Sequence, residues 1–270
     1  MRRDLSLRET SQGTTGAANS PRCSTLQGMN RHIWSAAAVA ACLGGVACLS
    51  HHDPTPSGDA PLHEPPREVR YVALGDSYTV GESVAEAERW PNQLVDSLRE
   101  RLGAHLVMRD AAIVATTGWT TANLDAGMDA AQVDTADWDL VSLLIGVNNQ
   151  YQGLSIEAYA VEFSALLERA IALAGGDADR VFVVSIPDYG YTPFGVNNQS
   201  TISAELAQFN DTCQARTLER GVAHFDITPI SQEWPETPGL VAADGLHPSG
   251  VQYGRWVASF ADEVAGLLHP

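Results

Sequence analysis

Val72-Ala73-Leu74-Gly75-Asp76-Ser77-Tyr78-Thr79-Val80-Gly81 is the stretch on which the fold turns. An apolar run from Tyr71 to Leu74 stops at a glycine, and an aspartate and a serine follow at once. The pattern reads as a buried strand whose carboxyl end delivers Ser77 into a turn. Ligand sites in open α/β sheets lie at the carboxyl ends of strands, so a serine there is positioned for chemistry. The same three residues also make an ordinary polar turn, and Ser77 alone could be no more than a helix N-cap. The surrounding chain has to discriminate.

Downstream, strand-like and helix-like segments alternate. Arg89–Leu102 has Trp90, Leu94, Val95, Leu98 and Leu102 at helical spacing, with Pro91 in the first turn and Gly103 as a stop. His105–Met108 reads as a second strand and Thr120–Met128 as a short helix. Asp139–Ile145 and Val181–Ile186 are near-continuous apolar runs, the signature of strands buried on both faces. Helices are predicted over Ile156–Ala174, Ile202–Arg220 and Ser249–Leu268, with a last strand at Val222–Asp226. Alternation with short connections implies a parallel, doubly wound sheet between two helix layers, a three-layer α/β/α sandwich.

Each predicted strand ends in polar residues. The first leads to Gly75-Asp76-Ser77, the second to Thr116-Thr117-Gly118-Trp119, and the third to Gly146-Val147-Asn148-Asn149. The fourth leads to Pro187-Asp188-Tyr189, and the last to Asp244-Gly245-Leu246-His247-Pro248. One edge of the sheet therefore collects a Ser, a Gly turn, an Asn and an Asp/His loop. A serine hydroxyl is a weak nucleophile that needs an adjacent base. Histidine titrates near neutrality, and a carboxylate fixes its tautomer and stabilises the imidazolium. Asp244, three residues before His247, can turn back through Gly245 to serve. The N–H groups of Ser77 and Gly118 and the side-chain amide of Asn148 can donate to a developing oxyanion. With Asp244 given to His247, Asp76 is assigned a structural part in the nucleophile turn. Taken singly, each feature has a bland explanation: a solvated Asp-x-x-His, an Asn turn, a capping Ser. Their joint occurrence in this order at strand ends is what favours chemistry.

These residues resemble the SGNH, or GDSL-type, esterases and lipases. Gly75-Asp76-Ser77-Tyr78 is similar to the family's first block, Gly118 to the glycine of the second, Gly146-Val147-Asn148-Asn149 to the third, and Asp244-Gly245-Leu246-His247-Pro248 to the fifth. The resemblance spans roughly residues 70–266. It implies a flavodoxin-like three-layer sandwich, Ser77, Asp244 and His247 as catalytic triad, and Ser77, Gly118 and Asn148 as oxyanion hole. It further implies a carboxylic ester hydrolase working through an acyl-enzyme. Two departures stand out: Asn149 replaces the usual Asp of the third block, and Thr117-Gly118-Trp119 stands where Ser-Gly is more usual. The Gly-x-Ser-x-Gly elbow of α/β-hydrolases is absent, and no His-Glu-x-x-His or Cys pair suggests a catalytic metal. No cofactor is implied.

Trp119, Tyr189 and Phe194 are predicted to line the substrate pocket, with Tyr78, Tyr151 and Tyr191 as further aromatic candidates and the 187–199 loop as a wall. Substrates are predicted to be short-acyl or carbohydrate-acetyl esters. The alternatives are a lysophospholipase or thioesterase of the same fold, or a catalytically inactive binding domain.

The start of the chain is of another kind. Residues 1–28 are polar and aperiodic, as in a disordered leader or a stretch ahead of a true start at Met29. From Met29, a short basic segment precedes the apolar run Ile33–Cys48, the layout of an export signal. Cys42 and Cys48 each follow small residues, resembling a bacterial lipoprotein signal in which one of them is lipidated; the plain alternative is an ordinary secretory signal. Residues 1–48 are thus read as leader and signal, 49–67 as a Pro-rich linker, and 68–270 as the hydrolase domain. His51, His52 and His63 lie in the flexible linker and are not read as a metal site. The chain contains no lysine, and beyond residue 48 it carries 31 acidic residues against 11 arginines. That balance opposes nucleic-acid binding, which needs a basic surface, and docking on anionic lipid. The expectation is a monomer of the cell envelope that acts on a small-molecule or glycan ester and meets the membrane only through the N-terminal anchor.

Overall fold

The structure, a computed structural model, describes residues 65–268. The predicted leader, the signal segment with Cys42 and Cys48, and the linker as far as residue 64 lie outside the described residues. In chain order the strands are β1 (Arg67–Val69), β2 (Tyr71–Gly75), β3 (Leu106–Met108), β4 (Ala112–Ala115), β5 (Leu140–Leu144), β6 (Val181–Val184) and β7 (Ala223–Phe225). The helices are α1 (Ser77–Val80), α2 (Trp90–Arg101), α3 (Thr121–Ala130), α4 (Val147–Tyr151), α5 (Ile156–Leu173), α6 (Gln199–Glu219), α7 (Thr228–Ser231) and α8 (Gly250–Leu267).

The main sheet is parallel, in the order β4-β2-β5-β6-β7. Renumbered within the sheet this is 2-1-3-4-5, the flavodoxin order. β2 and β5 are buried at every position, which is why their sequences are unbroken apolar runs rather than alternating ones. α2 packs on α8 as one outer layer, and α3, α5 and α6 pack together as the other. The first layer meets the sheet through an aromatic cluster in which Trp90 and Phe260 close edge-on at 6.2 Å and both contact Phe182. On the second, Tyr159 lies 4.7 Å from Phe209 between α5 and α6. Each such fully buried side chain stabilises the fold by about 1.5–3 kcal/mol. Cys213 is buried in α6 as a free thiol, consistent with a small apolar role.

One expectation is corrected by the sheet pairing. The segment around residues 105–108 is a strand, but it pairs only with β1 in a separate two-stranded sheet. The strand beside β2 is β4, Ala112–Ala115, which periodicity does not reveal because Ala-Ile-Val-Ala is short, rich in alanine and only half-buried at an edge of the sheet. It is β4 that leads to Thr116 and Gly118.

Order in the sheet reverses between β4-β2 and β2-β5. Loops leaving β2 and β5 therefore diverge around a crevice at the carboxyl ends. Gly75 ends β2 where a Cβ would sit 2.2 Å from Thr79 Oγ1 and 2.5 Å from the Leu144 carbonyl. Only glycine permits α1 to fold back so closely on the sheet.

Candidate active site

α1 is a single turn whose first residue is Ser77. Asp76 caps it: its Oδ1 accepts the Tyr78 N–H at 3.0 Å. As the first helical residue, Ser77 has an N–H without an intrahelical carbonyl, and the residue is among those that line the crevice. Asp76 is fully buried, with Oδ2 unpartnered among the described residues. Burial pushes its carboxyl up to about 7, against the hydrogen bonds from the backbone of Tyr78 and Gly146. Asp76 thus shapes the turn from beneath, and no part of it lines the cleft.

The Asp244/His247 loop approaches from the far end of the chain. His247 Nδ1 lies 2.6 Å from Asp244 Oδ2, and Asp244 Oδ1 accepts the N–H groups of Leu246 and His247 at 2.9 and 3.0 Å. With Nδ1 occupied, Nε2 is the nitrogen left for the cleft. Ser83 also donates to Asp244 Oδ2, at 2.6 Å. Partial burial works to raise the Asp244 carboxyl, but the hydrogen bonds from Ser83, His247 and the two backbone N–H groups outweigh it and hold the carboxyl well below the usual carboxylate range. The carboxylate is therefore charged across the neutral range. The Tyr78 ring meets the imidazole edge-on, with centroids 5.8 Å apart.

Gly118 takes φ +84° in the turn after β4, and a Cβ there would meet nothing within 4 Å. Its backbone is thus open to the crevice. Asn148, in the first turn of α4, donates Nδ2 to the Trp119 carbonyl at 2.9 Å, which leaves its second amide hydrogen free to point elsewhere. Asn149 is turned the other way, into the interior: it is buried, its Oδ1 accepts the Thr121 N–H at 3.0 Å, and its Nδ2 donates to Thr121 Oγ1 at 2.7 Å. Thr121 Oγ1 in turn donates to Glu162. The departure from the usual third block is therefore absorbed by α3 and α5, away from the cleft.

Ser77, Gly118, Asn148 and His247 line one cleft of about 250 Å³. Tyr151, Tyr189 and Phe194 form one side of it, with ring centroids 6.3 Å apart in every pair. Tyr189 is buried and donates its hydroxyl to Gln150 Oε1 at 2.9 Å, whereas Tyr151 and Phe194 are 62% and 53% exposed. Val147, Leu246 and Thr117, not anticipated from sequence, complete the lining with Tyr78. Apart from His247 no lining side chain is ionisable below the tyrosine range. Trp119 does not line the cleft. Its indole turns toward α3, so close to Gly127 that a Cβ there would lie 2.1 Å from the ring; only its carbonyl serves the site, through Asn148. Tyr191 also lies off this lining. A larger depression of about 670 Å³, bordered by Arg67, His105, Asp139 and Arg180, sits at the amino ends of β1, β5 and β6 and contains none of these residues. Among the described residues no cluster of three or more His, Cys, Asp or Glu side chains is placed to hold a metal ion.

The sequence model of the GDSL-like lipase/acylhydrolase family matches residues 73–255. No curated protein sequence matches the chain. Among solved structures, TesA superposes with a TM-score of 0.59 at 16% identity, covering 75% of this chain and 100% of its own. Est24, a carbohydrate acetylesterase from Sinorhizobium meliloti, gives 0.54 at 18% identity, with 74% and 99% covered. The aryl esterase of M. smegmatis gives 0.54 at 20% identity, with 74% and 100% covered. At these identities the likenesses establish a shared fold.

Proposed function

The chain belongs to the GDSL-like lipase/acylhydrolase family, and from that premise we propose that it hydrolyses short-acyl carboxylic esters, carbohydrate acetates among them, through an acyl-serine intermediate. The observation that carries the reading is the single cleft onto which Ser77, His247, Gly118 and Asn148 converge, with His247 paired to Asp244 at 2.6 Å.

In this reading Ser77 Oγ attacks the ester carbonyl carbon while its proton passes to His247 Nε2. Asp244 holds the imidazole by Nδ1 and stabilises the imidazolium. The carbonyl oxygen, now an oxyanion, is held by the N–H groups of Ser77 and Gly118 and by the second Nδ2 hydrogen of Asn148. His247 returns the proton to the leaving alcohol as the carbon–oxygen bond breaks. Water then adds to the acyl-enzyme with His247 again as base, and the carboxylic acid leaves.

The lining supports this choice of substrate class. The cleft is small, aromatic and uncharged, in a domain of strongly negative net charge. Those features suit a compact neutral acyl group with an apolar or sugar-ring alcohol resting on Tyr151 and Phe194. They disfavour a phosphate-bearing alcohol or thiol, and so rank a lysophospholipase or acyl-CoA thioesterase below an esterase. The likeness in fold to a carbohydrate acetylesterase and an aryl esterase is in keeping with this choice. The test is a panel of p-nitrophenyl esters graded from acetate to laurate, together with acetylated sugars and palmitoyl-CoA. Highest kcat/KM on acetyl or butyryl esters supports the reading; highest kcat/KM on palmitoyl-CoA or laurate contradicts it. We also propose export and attachment by a lipid at Cys42 or Cys48. Radiolabelled palmitate incorporation that survives Cys42→Ser and Cys48→Ser together would rule that anchor out.

A further inference from the structure

The Asp244–His247 pair is local to one loop. Its two residues are three apart, and Asp244 Oδ1 is held by amides of the same loop. Nothing within that arrangement fixes where the pair stands relative to Ser77. The turn after α1 supplies such a tie. Its Gly81 and Glu82 N–H groups both donate to the Ser77 carbonyl at 3.0 Å, so it is seated on the serine itself. From it Ser83 reaches Asp244 Oδ2 at 2.6 Å, across 161 residues of sequence. The neighbouring Glu82 carboxylate accepts the Thr117 hydroxyl at 2.5 Å, one residue before Gly118. Ser83 adopts φ +66°, a conformation uncommon outside glycine. Glycine would relax that backbone but would carry no hydroxyl.

We infer that Glu82 and Ser83 are positioning residues that lock two separate loops, one bearing Gly118 and the other Asp244 and His247, onto the turn that carries Ser77. The inference rests on the reading of those residues proposed above. Ser83 acts on the pair in a second way: by donating to Oδ2 it shares the negative charge that would otherwise serve His247 alone. The other titratable groups facing the pair are Tyr78 of α1, edge-on to the imidazole, Glu82 itself, and Tyr253 of α8, whose buried hydroxyl feels Asp76, Asp244 and Glu82.

Ser83→Gly and Ser83→Ala both delete the hydroxyl and differ in how well they tolerate the positive φ. Measured on p-nitrophenyl acetate across pH, both are expected to lower kcat about tenfold, the worth of one hydrogen bond to a charged group, with KM unchanged. Both should move the acid limb of the kcat/KM profile to higher pH, because an unshared Oδ2 holds the proton on the pair more firmly. Glu82→Ala should lower kcat without the upward shift of the acid limb, since it acts on the Gly118 loop and its loss removes a negative charge facing the pair, which can move that limb only to lower pH. If Ser83→Gly keeps the wild-type kcat and acid limb, Ser83 is not a positioning residue, and a defect in Ser83→Ala alone would trace to backbone strain. A wild-type protein inert to both esters and a fluorophosphonate overturns the underlying reading, and this one with it; a reactive wild type with an unaltered Ser83→Gly overturns this one alone.

Discussion

Asn148 donates its side-chain amide to the carbonyl of Trp119 at 2.9 Å, joining α4 to the loop after β4. The two side-by-side oxyanion candidates, Asn148 and Gly118, are thereby braced against each other instead of being positioned independently. Asn148→Ala removes both the brace and a donor. A loss of about 100- to 1000-fold in kcat is expected, the usual cost of one oxyanion donor, with KM little changed. Steady-state kinetics on p-nitrophenyl acetate decide it; a loss of less than threefold would exclude Asn148 from that role.

Asn149→Asp restores the residue more usual in the third block and should weaken the protein. Asn149 Nδ2 donates to Thr121 Oγ1, which already gives its own hydrogen to Glu162. An aspartate cannot donate there and adds a buried carboxylate beside Glu162. A destabilisation of about 1–3 kcal/mol is expected, read as a lower urea midpoint with an unchanged slope. Equal or greater stability would mean that the Thr121 hydroxyl has another arrangement open to it.

Asp76 sets a pH dependence of stability. Its folded-state carboxyl is raised to about 7 from an ordinary 3.8, so between those values the folded protein binds more protons than the unfolded chain. Stability from this group is therefore fully present below about pH 4 and declines as pH rises toward 7, by at most about 1.4 kcal/mol per pH unit. Asp76→Asn keeps the oxygen that caps Tyr78 and removes the titration. Thermal unfolding from pH 4 to 8 should show a smaller decline in Tm for the variant than for wild type. Parallel curves would show that Asp76 does not titrate in this range.

The exposed aromatic edge of the cleft should govern the larger half of the substrate. Phe194→Ala and Tyr151→Ala are each expected to raise KM about fivefold for aryl esters or acetylated sugars, leaving kcat for ethyl acetate within twofold. An equal loss on both substrates would place these rings in the support of the site instead of in contact with the alcohol.

Much of this site is legible in the sequence because its members lie at strand ends, and strands buried on both faces announce themselves as apolar runs. Tyr71–Leu74 and Asp139–Ile145 locate Ser77 and Asn148 in this way. Asp244 and His247 are legible because the pair is three residues apart on one loop. β4 is hidden by its brevity and half-exposure, although Gly118 beyond it still falls beside Ser77 and Asn148 in the cleft. Trp119 is misplaced by the sequence because a residue's position does not give the direction of its side chain: in a turn with Gly118 at positive φ, the indole swings toward Gly127. Ser83 carries no signal in the sequence. Its partner lies 161 positions away, and only the fold brings them together.

Intact-mass spectrometry after treatment with a fluorophosphonate reads out whether Ser77 is the nucleophile. One adduct is expected on the wild-type protein, mapped by peptide analysis to Ser77, with neither adduct nor ester hydrolysis in a folded Ser77→Ala variant. An adduct on another residue, or a Ser77→Ala variant that hydrolyses p-nitrophenyl acetate at the wild-type rate, would contradict it.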